Sequence, residues 1–180
     1  MIVRHEQPAD RPRIFELVAE AFAAPAGSGA DGAAGGAGEP AEVGLLAQLF
    51  DGADYLPALS LVAERDGRVD GHVICTRGWI DGFRAVGLGP LAVSPDAQRE
   101  GVGIALMEAV IAGAEAEGEP AILLLGSTEY YPRFGFVPAS SLGIQAPDLA
   151  WGENFMALPL ASFHSGIRGP FRYAAPFNNL

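Results

Sequence analysis

Val86-Gly87-Leu88-Gly89-Pro90-Leu91-Ala92-Val93-Ser94-Pro95 reads as an apolar strand with a proline inside it, and Gln98-Arg99-Glu100-Gly101-Val102-Gly103 follows within three residues. Proline has no N–H to give to a ladder, so Pro90 demands a bulge or a break. A strand that leaves its neighbour around residues 90–93 has free N–H and C=O groups, which can receive an extended, amide-containing ligand by strand addition. The two glycines then open the helix-like stretch Ile104–Ala116. The first turn of a helix carries unpartnered N–H groups and about half a positive charge, a natural cradle for phosphate.

Three other readings compete for the glycine turn. A dinucleotide fingerprint needs Gly-x-Gly-x-x-Gly directly after a first parallel strand. Here Leu106 stands at the third glycine and the preceding strands read as antiparallel. A phosphate loop of the Gly-Lys-Ser/Thr type is excluded, because all eleven basic residues are arginine and the chain has no lysine. Two glycines are also compatible with nothing more than a tight loop before a helix. An amide-binding strand beside a phosphate cradle, however, describes coenzyme A.

Outward from this centre the chain alternates in a regular way. Ser60–Arg65, Val69–Ile80 and Phe83–Val93 are strand-like runs separated by Asp66-Gly67 and Asp81-Gly82. Asp-Gly between apolar runs is a strong hairpin signal, so the three form an antiparallel meander. Before them, Ile2–Arg4 reads as a first strand, and Asp10-Arg11-Pro12 opens a helix with Ile14, Leu17, Val18, Ala21 and Phe22 at helical spacing. Pro25 ends it, Ala26–Pro40 is a flexible glycine- and alanine-rich loop, and a second helix covers Ala41–Phe50. After the glycine turn come a helix to about Glu117, a strand Ile122–Leu125, a short helix near Glu129–Phe134, and strands near Phe136 and Phe155–Leu160. The expected fold is α+β: a single domain over residues 1–180, with a mixed, mostly antiparallel sheet and flanking helices.

Composition narrows the function. The net charge of −11 argues against nucleic acid, which needs a basic footprint. Without lysine, Schiff-base and lysine-base chemistry are impossible. The longest apolar stretch, near Ile104–Ala112, is interrupted by Glu108, so no membrane span is expected. The N-terminal residues show no basic region followed by an apolar block, and the expected location is cytoplasmic. Cys75, the only cysteine, reads as a core residue, and no His/Cys cluster suggests a metal.

The chain resembles the GNAT acetyltransferase superfamily, and within it the YhbS-like group of predicted N-acetyltransferases. The resemblance rests on Leu88–Pro95, on Gln98–Gly103 as Gln/Arg-x-x-Gly-x-Gly/Ala, and on Tyr130-Tyr131-Pro132-Arg133-Phe134-Gly135-Phe136 one strand later. It implies a splayed fourth strand and transfer of acetyl from acetyl-CoA to an amine, with no metal. Backbone groups of Leu91, Ala92 and Val93 would bond the pantetheine amides, and the N–H of Leu91 or Val93 would stabilise the developing oxyanion. N–H groups of Gln98, Arg99, Glu100, Gly101, Val102, Gly103 and Ile104 would hold the pyrophosphate. Tyr131 matches the tyrosine that gives a proton to the departing thiolate, and an ordinary phenol, with a pKa of about 10, has that proton at neutral pH.

The base that takes the acceptor's proton is not identified. His72, Asp81 and Glu129 are positioned to be considered, and each residue type has an ordinary structural use there. A water chain serves equally. The acceptor is a small-molecule or peptide amine of unspecified identity, and a homodimer is allowed. Phe163, Phe171, Tyr173 and Phe177 near the C-terminus either line its pocket or pack the sheet, with packing favoured. A non-catalytic acyl-CoA-binding module and a nucleotide-binding protein are the alternatives.

Overall fold

The structure, a computed structural model, describes residues 1–23 and 40–179. The Gly/Ala-rich stretch expected to be a loop lies outside the described residues except for Pro40, which caps a helix. The chain begins with β1 (Ile2–His5) and α1 (Arg11–Phe22), then continues with α2 (Ala41–Asp51). The meander follows as β2 (Leu61–Arg65), β3 (Arg68–Ile80) and β4 (Phe83–Val93). Next come α3 (Val102–Ala116), β5 (Ala121–Leu125), a 3-10 turn at Tyr131–Phe134, β6 (Val137–Pro138), β7 (Ile144–Gln145), β8 (Phe155–Pro159) and β9 (Gly169–Arg172).

The strands run β1-β2-β3-β4-β5-β8-β6, with β9 added to the end of β3 and β7 beside β9. Along the main path every pair is antiparallel except β4 with β5, giving the mixed sheet of an α+β fold. Both Asp-Gly turns adopt left-handed conformations at both residues, with φ of 50° and 79° at Asp66-Gly67 and 45° and 96° at Asp81-Gly82. That twist matches the flanking strands, which is why these dipeptides close hairpins.

Side chains alternate across the sheet. Leu61, Ala63, Val73 and Cys75 face α3, whose Val102, Leu106, Met107 and Val110 cover them. Val62 and Ile74 face the other way, under Ile14, Leu17, Leu46 and Leu49 of α1 and α2. Gly71 lets α3 come close: an added Cβ would stand 2.6 Å from Cγ1 of Val102. Burial pushes the Cys75 thiol up, leaving it an inert core group as its sequence context suggests.

Asp10 does not cap α1 through a side-chain bond to the helix. Its carboxylate instead takes two hydrogen bonds from Arg4, at 2.7 and 2.9 Å, and one from the Gln7 N–H. No helix among the described residues is long and apolar enough to cross a membrane.

Candidate active site

The site begins at the irregularity around Pro90. Val73 pairs with Leu91 and Cys75 with Leu88, so Gly89 and Pro90 together oppose Ile74. This is the expected bulge. On its other side β4 pairs with β5 only at Val86 and Gly87, and beyond Gly87 the two strands part. Arg77, clamped on Glu119 by hydrogen bonds of 2.7 and 2.8 Å, ties the paired end of β5 to β3, so the opening lies at the far end.

The Ser94 N–H donates to Asp70 O at 2.8 Å. Alternation along an antiparallel ladder then directs the Ala92 amide groups towards His72 and turns those of Leu91 and Val93 out to the open side. Of the three residues expected to meet a pantetheine arm, Leu91 and Val93 line the resulting cleft and Ala92 is buried under α1 and α2.

Gly101 caps α3 with φ 83°, and Arg99 is also left-handed at 66°. The first intrahelical bond is that of Ala105 N–H to Gly101 O, at 3.0 Å. The N–H groups of Gln98 through Ile104 have no partner among the described residues. The two glycines serve different ends. Gly101 has open space around it and is required by its positive φ, whereas an added Cβ at Gly103 would stand 3.0 Å from the Tyr130 hydroxyl. The turn is moored from behind: Arg65 bonds both Asp70 and Glu100, and Arg68 bonds Ser94 and Asp96. The Glu100 side chain therefore points away from the cleft.

Two cavities meet here. One, of about 680 Å³, lies over the turn and is lined by Gln98, Arg99, Gly101, Val102, Gly103 and Ile104 together with Leu91 and Val93. The second, of about 840 Å³, lies beyond the splay and shares Phe22, Leu91 and Tyr130 with the first. Tyr131 lines the second cavity beside Gly126 and Leu88. Its ring packs edge-on against Phe136 at 5.7 Å, and its hydroxyl has no hydrogen-bond partner among the described residues. Burial, reinforced by the neighbouring Tyr130, pushes its pKa up to about 12.

On the short helix expected near Glu129–Phe134, Tyr130 would point away from the side that Tyr131 presents. The structure places it in both cavities, because the segment is a 3-10 turn that starts after it, not an α-helix. Arg133 lies over the Tyr130 ring at 4.5 Å and also faces the cleft above the turn, adding a positive charge beside Arg99. The C-terminal aromatics do both things that sequence left open. Phe171, Tyr173 and Phe177 pack on one another and line the second cavity, whereas Phe163 only packs.

None of His72, Asp81 and Glu129 lines either cavity. His72 is sealed under α2 against Phe50, and burial pushes its pKa down to about 3. The acidic residues that do line the second cavity are Glu42 and Asp148. Among the described residues no three His, Cys, Asp or Glu side chains gather as a metal-binding group.

Known proteins share this architecture. Residues 57–138, from the approach to β2 through β6, match the model of the acetyltransferase (GNAT) domain. A curated relative, the uncharacterized N-acetyltransferase YjhQ of Escherichia coli strain K12, is 39% identical over 111 residues, which are 59% of this chain and 61% of that protein. The GNAT family N-acetyltransferase YhbS of Escherichia coli, solved in complex with CoA, superposes with a TM-score of 0.83 at 26% identity, covering 98% of this chain and 91% of that one. A GNAT family acetyltransferase from Brucella melitensis, solved with acetyl-CoA, gives 0.74 at 29% identity, covering 98% and 97%. The bulged β4, the splay and the glycine turn all fall inside the segment that matches the acetyltransferase (GNAT) domain model, and the chain has the GNAT fold.

Proposed function

We propose that the protein transfers the acetyl group of acetyl-CoA to an amine by direct attack, with Tyr131 as the catalytic acid. The observation that carries this reading is a phenol without a hydrogen-bond partner among the described residues, Tyr131, in the second cavity and 5.0 Å between ring centroids from the Tyr130 that this cavity shares with the cleft over the glycine turn. The two relatives solved with CoA and acetyl-CoA support the choice of cosubstrate.

The residues divide the work. The unpartnered N–H groups from Gln98 to Ile104, with the positive end of α3, meet the pyrophosphate, and Arg99 and Arg133 add charge around it. The outward amides of Leu91 and Val93 extend β4 by pairing with the pantetheine arm. The amine, once its ammonium proton has passed to solvent through water, attacks the thioester carbon from the second cavity. Negative charge then develops on the carbonyl oxygen, where an N–H of Leu91 or Val93 stabilises it. As the C–S bond breaks, the Tyr131 hydroxyl gives its proton to sulfur, so coenzyme A leaves as the thiol, and the proton that the amine nitrogen sheds on becoming an amide passes through water to restore the phenol.

The test is Tyr131→Phe. The expected result is a fall in kcat of about a hundredfold or more, with acetyl-CoA affinity within a factor of two of the parent. Unchanged turnover at saturating substrates removes the acid role. Acetyl-CoA at 100 times its Kd should also stabilise the parent by about 2.7 kcal/mol in thermal unfolding. Stabilisation without thiol release across a broad amine panel would make the chain an acyl-CoA-binding module instead.

A further inference from the structure

The second cavity has a lining of definite chemistry. Trp151, Phe171, Tyr173 and Phe177 form one wall, and they hold each other in place: Tyr173 lies 4.5 Å from Phe177, 4.7 Å from Phe171 and 6.3 Å from Trp151 between ring centroids. Phe22 and Leu45 face the cavity from α1 and α2. Three charged residues line it, Glu42, Asp148 and Arg172. None of the three is in an ion pair among the described residues, and Asp148 spends one oxygen on the Ala150 N–H at 2.8 Å.

Resting on the acetyl-transfer reading, we infer that the acceptor is a cationic amine carried on an aromatic body, with Trp151 and Tyr173 as the residues that select it. A rigid wall of rings gains most from a flat apolar partner, by stacking and edge contacts that a flexible chain cannot return. It also leaves the regularly spaced charges of a polyamine without water or counter-charge along most of their length. Two carboxylates against one guanidinium leave the lining one charge negative, in a chain whose net charge is −11, so the amine is favoured as a cation without a carboxylate of its own. The amine end then lies towards Tyr131 and Leu91, which line the same cavity where β4 leaves β5, and the ring towards Trp151.

The experiment is a comparison of acceptors with acetyl-CoA, following thiol release and the mass of the product, for phenethylamine, tryptamine, spermidine and phenylalanine. The expected order gives phenethylamine or tryptamine a kcat/KM about tenfold or more above both others. Trp151→Ala should remove about tenfold of that advantage, Trp151→Phe should restore most of it, and neither should change the thermal shift produced by acetyl-CoA. Spermidine or phenylalanine turned over as well as the aryl amines overturns the inference. So does equal aryl-amine turnover by Trp151→Ala, or a parent preference for octanoyl-CoA over acetyl-CoA that Trp151→Ala abolishes, which would give the cavity to the acyl chain. A normal acetyl-CoA thermal shift with no aryl-amine turnover sinks this inference alone. Absence of the shift in the parent protein sinks the acetyl-transfer reading, and this inference falls with it.

Discussion

An added Cβ at Gly126 would stand 2.3 Å from Cε2 of Tyr131, so the phenol can lie against the end of β5 only because residue 126 has no side chain. The backbone there cannot drift to make room. Asn154 accepts the Gly126 N–H at 2.9 Å and its Nδ2 donates to Gly126 O at 2.9 Å, holding the residue from both sides. Gly126→Ala should therefore displace the ring and lower kcat by about a hundredfold, as a misplacement near 1 Å commonly does, while acetyl-CoA affinity stays near the parent value. Steady-state kinetics with a parallel binding titration check it, and an unchanged kcat would show that the hydroxyl position is not critical. The phenol must be protonated to act, and burial raises its pKa to about 12, so its activity is lost only as pH rises through that value. Between pH 7 and 10 Tyr131 should add no alkaline fall to kcat, which a pH profile in saturating substrates reads directly. Tyr131 was singled out by the resemblance of Tyr131-Pro132-Arg133-Phe134-Gly135-Phe136 to a family segment. Gly126 was not, because a close approach between a glycine and a ring five residues on leaves no mark in composition or period.

At the scale of elements, the glycine turn works only if α3 sits low on the sheet. Gly71 of β3 makes that possible: an alanine there would place Cβ 2.6 Å from Val102 and 2.9 Å from Leu106, both in the first turns of α3. Gly71→Ala should cost about 1–3 kcal/mol by overpacking, and should also weaken acetyl-CoA, because the helix end that moves carries the N–H groups of Val102, Gly103 and Ile104. Urea unfolding and the acetyl-CoA thermal shift measure the two effects separately, and lost stability with undiminished affinity would mean that the helix end stays put. These contacts join elements the sequence does announce. The Asp-Gly turns define β2, β3 and β4 to within a residue, and Pro90 marks the bulge, because both depend on backbone rules that act within a few residues. The strands β7 and β9, of two and four residues, are too short for a period of two to register. They exist because Phe171 and Arg172 find Ile80 and Trp79 at the end of β3, a tertiary partnership. The wall of the second cavity comes from these late segments, so the bulged strand and the glycine turn were readable and that wall was not.

The described residues form a sheet with one α-helix on one face and two on the other, and His72 is the one imidazole among them sealed inside, under Phe50 on the α1 and α2 face. Neither ring nitrogen has a hydrogen-bond partner among the described residues. Burial disfavours the charged form and pushes the pKa down to about 3, with the Asp10 carboxylate opposing the shift. Unfolded, the ring should titrate near 6.5. Below that pH the unfolded chain binds a proton that the folded chain refuses, so stability is complete above about 6.5 and falls as the pH drops towards about 3. The slope is about 1.4 kcal/mol per pH unit, or about 2 kcal/mol lost between neutrality and pH 5. Carboxylates held low by arginine, such as Asp10 beside Arg4, act in the same direction but only near and below pH 4, because the unfolded carboxylate must itself begin to protonate. The two contributions are thus separated by pH. His72→Leu removes the titrating ring and an unpaired buried polar group at once, so its stability should be nearly flat from pH 7 to 5 where the parent loses about 2 kcal/mol. Urea midpoints for both proteins at the two pH values decide it, and parallel losses in parent and variant would show that the acid sensitivity of this fold lies elsewhere.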